Sequence, residues 1–201
     1  MRFHFKKYCT ALLFILCLAA LPAQADNARQ IATAAQNQVG QTIYYDPAYV
    51  RLSYPGGDVP LERGVCSDVV IRALRSVGID LQVLINQDMK AYFKAYPQNW
   101  GLSRPDPNID HRRVLNIIAY YQRQKCSLPL PVEIANLQPG DLITWTLPHN
   151  LPHIGVVTVI NGSQVLLVHN IGLGAREEAV LYNWPITAHL RVILPQQGSQ
   201  P

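Results

Sequence analysis

One cysteine opens an apolar, helix-like segment in the stretch GVCSDVVIRALRSVG, Gly64 to Gly78. Val70, Leu74 and Val77 recur at helical spacing and predict a helix over residues 67–77. The reactive form of cysteine is the thiolate, which the N–H groups at a helix N-terminus stabilise by lowering the thiol pKa. Cys66 therefore has the position of a nucleophile. The alternatives are a disulfide with Cys126 and an inert core thiol.

A cysteine nucleophile needs a base, and the base needs a group that orients it. His153 opens the β-like segment HIGVVTVI, and His169 and Asn170 close the next such segment. Asn161-Gly162 between them predicts a hairpin. A two-residue turn places His153 opposite Asn170, whereas a three-residue loop places it opposite His169. The residues leave both partners open, together with the simpler interpretation of His153 as a hydrogen-bonded histidine at a strand edge.

Substrate-binding candidates lie outside these segments. Arg112 or Arg113 could clamp a substrate carboxylate, although a solvated charge beside an N-cap at Asp110 is the simpler interpretation. Asp58, in a Gly-Gly-Asp turn, and Trp100, in a Pro-rich loop, could line a cleft.

A metal site is not expected. The spacing of His149 and His153 could suit zinc on a helix, but Pro148 and Pro152 exclude that helix. The metallopeptidase glutamate is also absent. No cofactor is expected.

The elements that must position these residues change in character along the chain. Helices are predicted over 27–39, with Ile31, Ala34, Ala35 and Val39 on one side, over 67–77, and after Asp110, with Val114, Ile117, Ile118 and Tyr121 buried. Strands are predicted over 141–145, 154–160 and 165–169 and near 189–194. Helices followed by strands indicate an α+β domain, here residues 26–195, with a disordered tail over 196–201.

The N-terminus is typical of a secretory leader. Arg2, Lys6 and Lys7 precede an apolar run, and Ala23-Gln24-Ala25 fits a cleavage site, so we expect a signal peptide over 1–25 and a periplasmic or secreted protein. An uncleaved N-terminal anchor is the alternative. Cleavage would remove three of the 17 basic residues and leave 14 against 13 acidic ones, so the net charge would be near +1. A nucleic-acid binder is usually much more basic. No later segment is long and apolar enough to span a membrane.

The order of motifs resembles the NlpC-type papain-like cysteine peptidases, which cleave bacterial cell-wall peptides. The resemblance rests on Cys66-Ser67 opening a helix, LQPGDL over 137–142, PHIGVV and VHN. The fuller signature YPGGDVP, GVCSDVV, NIDHRRV, LPHIGVV and HNIG resembles an exported bacterial family of unknown function, assigned to that fold. The chain departs from the superfamily pattern at Val65 and Asp68 and in a large insertion over 79–136.

The resemblance implies a papain-like α+β fold and a role for each matching residue. Cys66 would be the nucleophile, His153 the general base and acid, His169 the orienting residue, and Tyr44 or Tyr45 a contributor to the oxyanion site. The implied activity is hydrolysis of an amide in peptidoglycan peptides by a monomer. The alternatives are a non-catalytic periplasmic binding module of the same fold and a thiol acyltransferase.

Overall fold

A computed structural model describes residues 20–192, with the surroundings of side chains from residue 25 onward. Most of the leader predicted over 1–25 and all of the tail predicted over 196–201 lie outside these described residues. The helices are α1 (Ala20–Gln36), α2 (Cys66–Arg75), α3 (Leu81–Tyr92) and α4 (Val114–Arg123). The strands are β1 (Tyr44–Tyr45), β2 (Arg63–Gly64), β3 (Ser127–Leu128), β4 (Leu142–Leu147), β5 (Leu151–Asn161), β6 (Gln164–Asn170), β7 (Ala175–Glu178) and β8 (Ile186–Leu190).

The predicted α+β class is confirmed. Six strands form one antiparallel sheet in the order β3-β8-β4-β5-β6-β7, and β1 and β2 form a separate parallel pair. The face toward the helices carries one apolar cluster, which includes Ile31, Val70, Leu74, Ile117, Ile154, Val156 and Val168. The opposite face carries a second, which includes Ile143, Trp145, Val157, Leu167 and Leu181.

Helix α1 starts and ends earlier than the predicted 27–39. Ile31 and Ala35 are buried as the pattern predicts, but Val39 is 43% exposed. The helix ends at Gln36, and the chain turns there through a hydrogen bond from the Val39 N–H to the Gln36 carbonyl. The prediction that Val39 shares the buried face is therefore wrong.

Helix α2 lies where its pattern predicts, from Cys66 to Arg75. The Val65 N–H donates to the Asp68 carboxylate at 2.7 Å, which secures the start of the helix. Gly78 follows the helix with a φ of +79°, a conformation that favours glycine.

The sequence reading missed helix α3. Its signals were present, since Asp80 accepts a hydrogen bond from the Gln82 N–H as an N-cap residue. Leu81, Ile85 and Met89 recur every four residues and are all buried.

The next helix starts later than predicted. Asp110 belongs to a short 3-10 turn over Asp110–Arg112, and Arg113 is the residue that precedes α4. Asp110 instead accepts hydrogen bonds from the Asp106 N–H and the Arg113 guanidinium.

The β5–β6 hairpin has a loop that differs from both predicted loops. Asn161 pairs with Gln164, so the two-residue loop is Gly162-Ser163. The register then shifts between Val157 and Val159, which marks a β-bulge. Val156 pairs with Val168, so His153 lies diagonal to His169 rather than opposite it. The predicted direct pairings of His153 with Asn170 or His169 are therefore wrong.

Candidate functional site

Cys66 is the first residue of α2 and is only 5% exposed. The adjacent Ser67 hydroxyl donates to the Arg112 carbonyl at 2.6 Å, which ties the start of the helix to the 3-10 turn. The thiol packs in the cluster on the helix-facing side of the sheet, which also includes Ile154 of β5.

The electrostatics of Cys66 differ from the expectation. Burial raises the pKa of the thiol to about 12, although the main-chain N–H groups of Ile154, Ser67 and Cys66 act in the opposite direction. The lowered pKa that the helix start predicts is therefore wrong for this structure, because desolvation of the thiolate outweighs the N–H groups that face it.

His153 and His169 are brought together on the other face of the sheet. His153 Nε2 lies 3.0 Å from His169 Nδ1, and the two side chains are almost fully buried. Trp145 and Trp184 pack against both rings. This packing leaves little freedom for either imidazole to rotate.

Gly155 makes this packing possible. A Cβ at this position would lie 3.1 Å from the Val168 carbonyl oxygen, 3.2 Å from the His169 Cβ and 3.3 Å from the Trp145 ring. A larger side chain at position 155 would therefore clash with the neighbouring strand and with the Trp145 ring, which explains why a glycine lies two residues after His153.

Both histidines are held in their neutral form. Burial, together with the smaller effect of the neighbouring His169, lowers the pKa of His153 to about 3. Burial also lowers the pKa of His169, against the opposing charge of Glu178, whose Oε2 lies 3.1 Å from His169 Nε2.

Cys66 and His153 meet at strand β5 from its two faces. The Ile154 N–H faces the Cys66 thiol, so the nucleophile candidate lies beside the amide that directly follows His153. Within residues 20–192, no hydrogen bond joins the thiol to either imidazole. Because the thiol and the imidazole lie on opposite faces of the sheet at β5, proton transfer between them would need a bridging water or a rearrangement of the strand.

Asn170, the alternative third residue, faces the other side of the sheet. Its Nδ2 donates to the Gly64 carbonyl at 3.0 Å, and its Oδ1 accepts from the Gly172 N–H at 3.1 Å. Of the two candidates, His169 is the one that contacts His153. Asn170 fixes the segment that leads into Cys66.

The two tyrosines of β1 differ in their relation to Cys66. Burial raises the pKa of Tyr45, and the charges of Cys66 and Asp68 raise it further, which places its hydroxyl within electrostatic reach of the thiol. Tyr44 is 58% exposed, and its carbonyl lies 3.5 Å from Asn170 Nδ2. Tyr45 is therefore the candidate that the structure brings toward Cys66.

Two of the substrate-binding candidates are engaged within the fold. Arg112 binds both carboxylate oxygens of Asp68 at 2.8 Å and is 6% exposed. Asp58 accepts from Arg72 Nε at 2.8 Å and from Arg72 Nη2 at 3.1 Å.

The other two candidates contact each other. The Arg113 guanidinium stacks over the Trp100 ring at 4.0 Å and pairs with Asp110 at 2.8 Å. Among the described residues, no group of histidine, cysteine and carboxylate side chains could hold a metal ion.

The sequence reading missed three residues of this site. Trp145 lies directly opposite His153 across the β4–β5 ladder, and Trp184 closes over both histidines. Glu178 contacts His169 from β7. Trp145 was visible in the strand pattern, but Trp184 and Glu178 could be assigned only once the packing and register of β7 were known.

The fold and site define an α+β protein with a buried cysteine at a helix start and a buried histidine pair on the sheet. Over residues 32–192 the chain matches the family described as a domain of unknown function, DUF1287, and it belongs to that family. It is also 52% identical over 170 residues to the uncharacterized protein YijF of Escherichia coli (strain K12). The alignment covers 84% of this chain and 83% of that protein.

The helices among residues 20–192 include none with the length and apolarity needed to cross a bilayer.

Proposed function

We propose that this chain is an exported cysteine hydrolase with a papain-like, NlpC-type fold that cleaves an amide bond in peptidoglycan peptides. The observation that carries the proposal is the position of Cys66. Its thiol lies at the N-terminus of α2, beside the amide that follows His153, and His153 is oriented by His169 at 3.0 Å. The substrate class comes from the resemblance of the motifs, and the predicted leader would bring the protein to the periplasm, where peptidoglycan lies.

The reaction starts from a neutral thiol and a neutral imidazole. The Cys66 proton passes to His153 Nδ1 through a bridging water, since the two side chains lie on opposite faces of β5, while the sulfur attacks the amide carbonyl. N–H groups at the start of α2 and the Tyr45 hydroxyl would stabilise the oxyanion. The C–N bond then breaks, and His153 returns its proton to the leaving amine. Water hydrolyses the thioester, with His153 taking the proton of the water and restoring the thiol.

The test is turnover by the chain from residue 26 onward, with purified peptidoglycan and soluble muropeptides as substrates. We expect chromatography with mass spectrometry to find cleaved peptides for the wild type and for Cys126→Ala, which removes the other cysteine of that chain. Cys66→Ala should lose activity and keep the same circular dichroism and melting temperature. Cleavage by Cys66→Ala at the wild-type rate would refute the mechanism.

A second candidate function is a non-catalytic binding module, and the burial of Cys66 favours it. The thiol is only 5% exposed, and burial raises its pKa. A module of this kind would bind muropeptides without turnover, and Cys66→Ala would bind them equally well in calorimetry. An acyltransferase would instead yield an amine adduct of the acyl group when a primary amine is added.

A further inference from the structure

We propose that Glu178 is a positioning residue that sets the tautomers of the histidine pair, leaving Nδ1 of His153 as the unprotonated base. The effect of Glu178 on the tautomers follows from the contacts alone, whereas its role in catalysis rests on the proposed function. Neither the motifs nor the resemblance assigns a role to Glu178.

The register of β7 brings Glu178 to His169. Glu178 pairs with Leu167, and the side chains at 167 and 169 leave β6 on the same face. Its Oε2 lies 3.1 Å from His169 Nε2, and its side chain is 41% exposed, whereas that of His169 is 1% exposed. Glu178 thus places its carboxylate at the solvent edge of a buried ring.

His169 Nε2 depends on this carboxylate. The contact has ion-pair distance without the alignment of a full hydrogen bond, and Nε2 has no other hydrogen-bond partner among the described residues. A buried ring nitrogen without a partner is costly, and a small rotation of the half-exposed Glu178 side chain would align the bond.

The tautomers follow from counting protons. A carboxylate beside His169 Nε2 favours the proton on that nitrogen. His169 Nδ1 is then an acceptor, so the 3.0 Å contact must be donated by His153 Nε2–H. His153 Nδ1 is left with a lone pair. Without the carboxylate, the reversed pair becomes accessible, in which His153 Nδ1 carries the proton and cannot act as a base.

Other charged groups near His169 do not replace Glu178. Arg176 lies opposite His169 on β7 and is exposed. Glu177 belongs to the opposite face, where it accepts hydrogen bonds from Thr158 and Gln36. From β5 the titratable neighbour is His153, and from β4 and the segment before β8 the contacts are Trp145 and Trp184.

The test measures the tautomers directly. Long-range ¹⁵N–¹H spectra of the chain from residue 26, near neutral pH, distinguish protonated from unprotonated ring nitrogens without requiring turnover. In the wild type we expect both histidines to carry their proton on Nε2. Glu178→Leu should shift the population toward the reversed pair by about tenfold or more, because a charge-assisted hydrogen bond is lost. Glu177→Leu, on the same strand but the other face, should keep the wild-type tautomers.

Activity then separates this inference from the proposed function. If Glu178→Leu changes the tautomers and lowers kcat with little change in KM, both stand. If the tautomers change but the wild type has no turnover, Glu178 positions the pair and the proposed function fails. Wild-type tautomers in Glu178→Leu would overturn the inference whatever the activity. Should Glu178→Leu fold poorly, Glu178→Gln removes the charge with nearly the same shape and is judged by the same spectra.

Discussion

At the scale of single residues, Gly155 controls how closely the histidine pair can pack. Its absent side chain leaves room for the Trp145 ring and the His169 Cβ, each of which would lie within about 3.3 Å of an added methyl group. The nearest atom, at 3.1 Å, is the Val168 carbonyl oxygen, which is main chain and cannot rotate away. The site thus depends on a residue that has no chemistry of its own.

Gly155→Ala should therefore destabilise the fold by about 1–3 kcal/mol, the usual cost of overpacking a buried site. Urea unfolding followed by circular dichroism measures the change. The same variant should displace His169 from His153, which ring-nitrogen spectra would detect. An unchanged unfolding midpoint would show that the strands separate at little cost and that the close approach is not limiting.

At the scale of secondary-structure elements, the ion pair of Asp68 and Arg112 fastens the start of α2. Their side chains are 4% and 2% exposed, and the Asp68 carboxylate also caps the helix through the Val65 N–H. Arg112 further donates to the carbonyls of Ala48 and Asp46, so it joins α2 to the segment after β1. This pair holds the backbone that presents Cys66.

Arg112→Met should destabilise the protein by about 3–5 kcal/mol, because it leaves the Asp68 charge buried without its partner. Chemical denaturation measures the loss. Arg29→Met is the control, since its pair with Asp26 is about 70% exposed and should contribute at most about 1 kcal/mol. A stable Arg112→Met variant with a raised KM would instead favour the substrate clamp.

The elements also show how far the sequence could predict this fold. Local signals located α2 and the central strands, because the periodicity of apolar residues depends on short stretches of chain. The predicted register of the hairpin was wrong for two reasons. Asn161 belongs to β5 rather than to the loop, and a bulge near Thr158 adds one unpaired residue to β5. The predicted contact between His153 and His169 was nevertheless correct, because diagonal neighbours on one face of a sheet are also close enough to touch.

The thiol pKa could not be predicted in the same way. The helix start that would lower it is visible in the sequence, but the burial that raises it depends on tertiary packing around Cys66. The role of Glu178 similarly required the β6–β7 register.

At the scale of the whole molecule, the predicted cleavage site lies inside α1, which begins at Ala20. A cut after Ala25 would keep residues 26–36 of this helix. Those residues carry its buried face, with Ile31, Ala32 and Ala35 each no more than 4% exposed. The family match begins at residue 32. The buried residues of α1 that the structure describes therefore all follow the predicted cleavage site.

We predict export to the periplasm with cleavage after Ala25, so that the mature protein begins at Asp26, which intact mass and N-terminal sequencing of periplasmic material would test. Ala25→Leu, which removes the small residue at the predicted site, should leave the longer chain in the membrane fraction. A protein that keeps its first residues in the wild type would favour the uncleaved anchor.

The stability of the whole molecule should fall on mild acidification, because His111, His153 and His169 are buried and their pKa values are lowered. His111 is the clearest case, since burial lowers its pKa to about 4 and its Nδ1 has no hydrogen-bond partner among the described residues. Its pKa in the unfolded chain is about 6.5, so between these values the unfolded state binds more protons. The contribution of the neutral, buried His111 to the free energy of unfolding is therefore fully present above about pH 6.5. It is lost progressively as the pH falls toward the pKa in the folded state.

Between about pH 7 and pH 5, His111 alone should account for roughly 2 kcal/mol of this decline. His111→Phe removes the titration and keeps an aromatic ring, so the loss of stability over this range should be smaller by that amount. Urea unfolding at the two pH values measures it. The control is His149→Asn, since His149 is exposed with a φ of +64°, which asparagine tolerates well. This variant should decline like the wild type. An equal decline in His111→Phe would show that His111 is already protonated in the fold, paired with the nearby charge of Asp68 or Asp80.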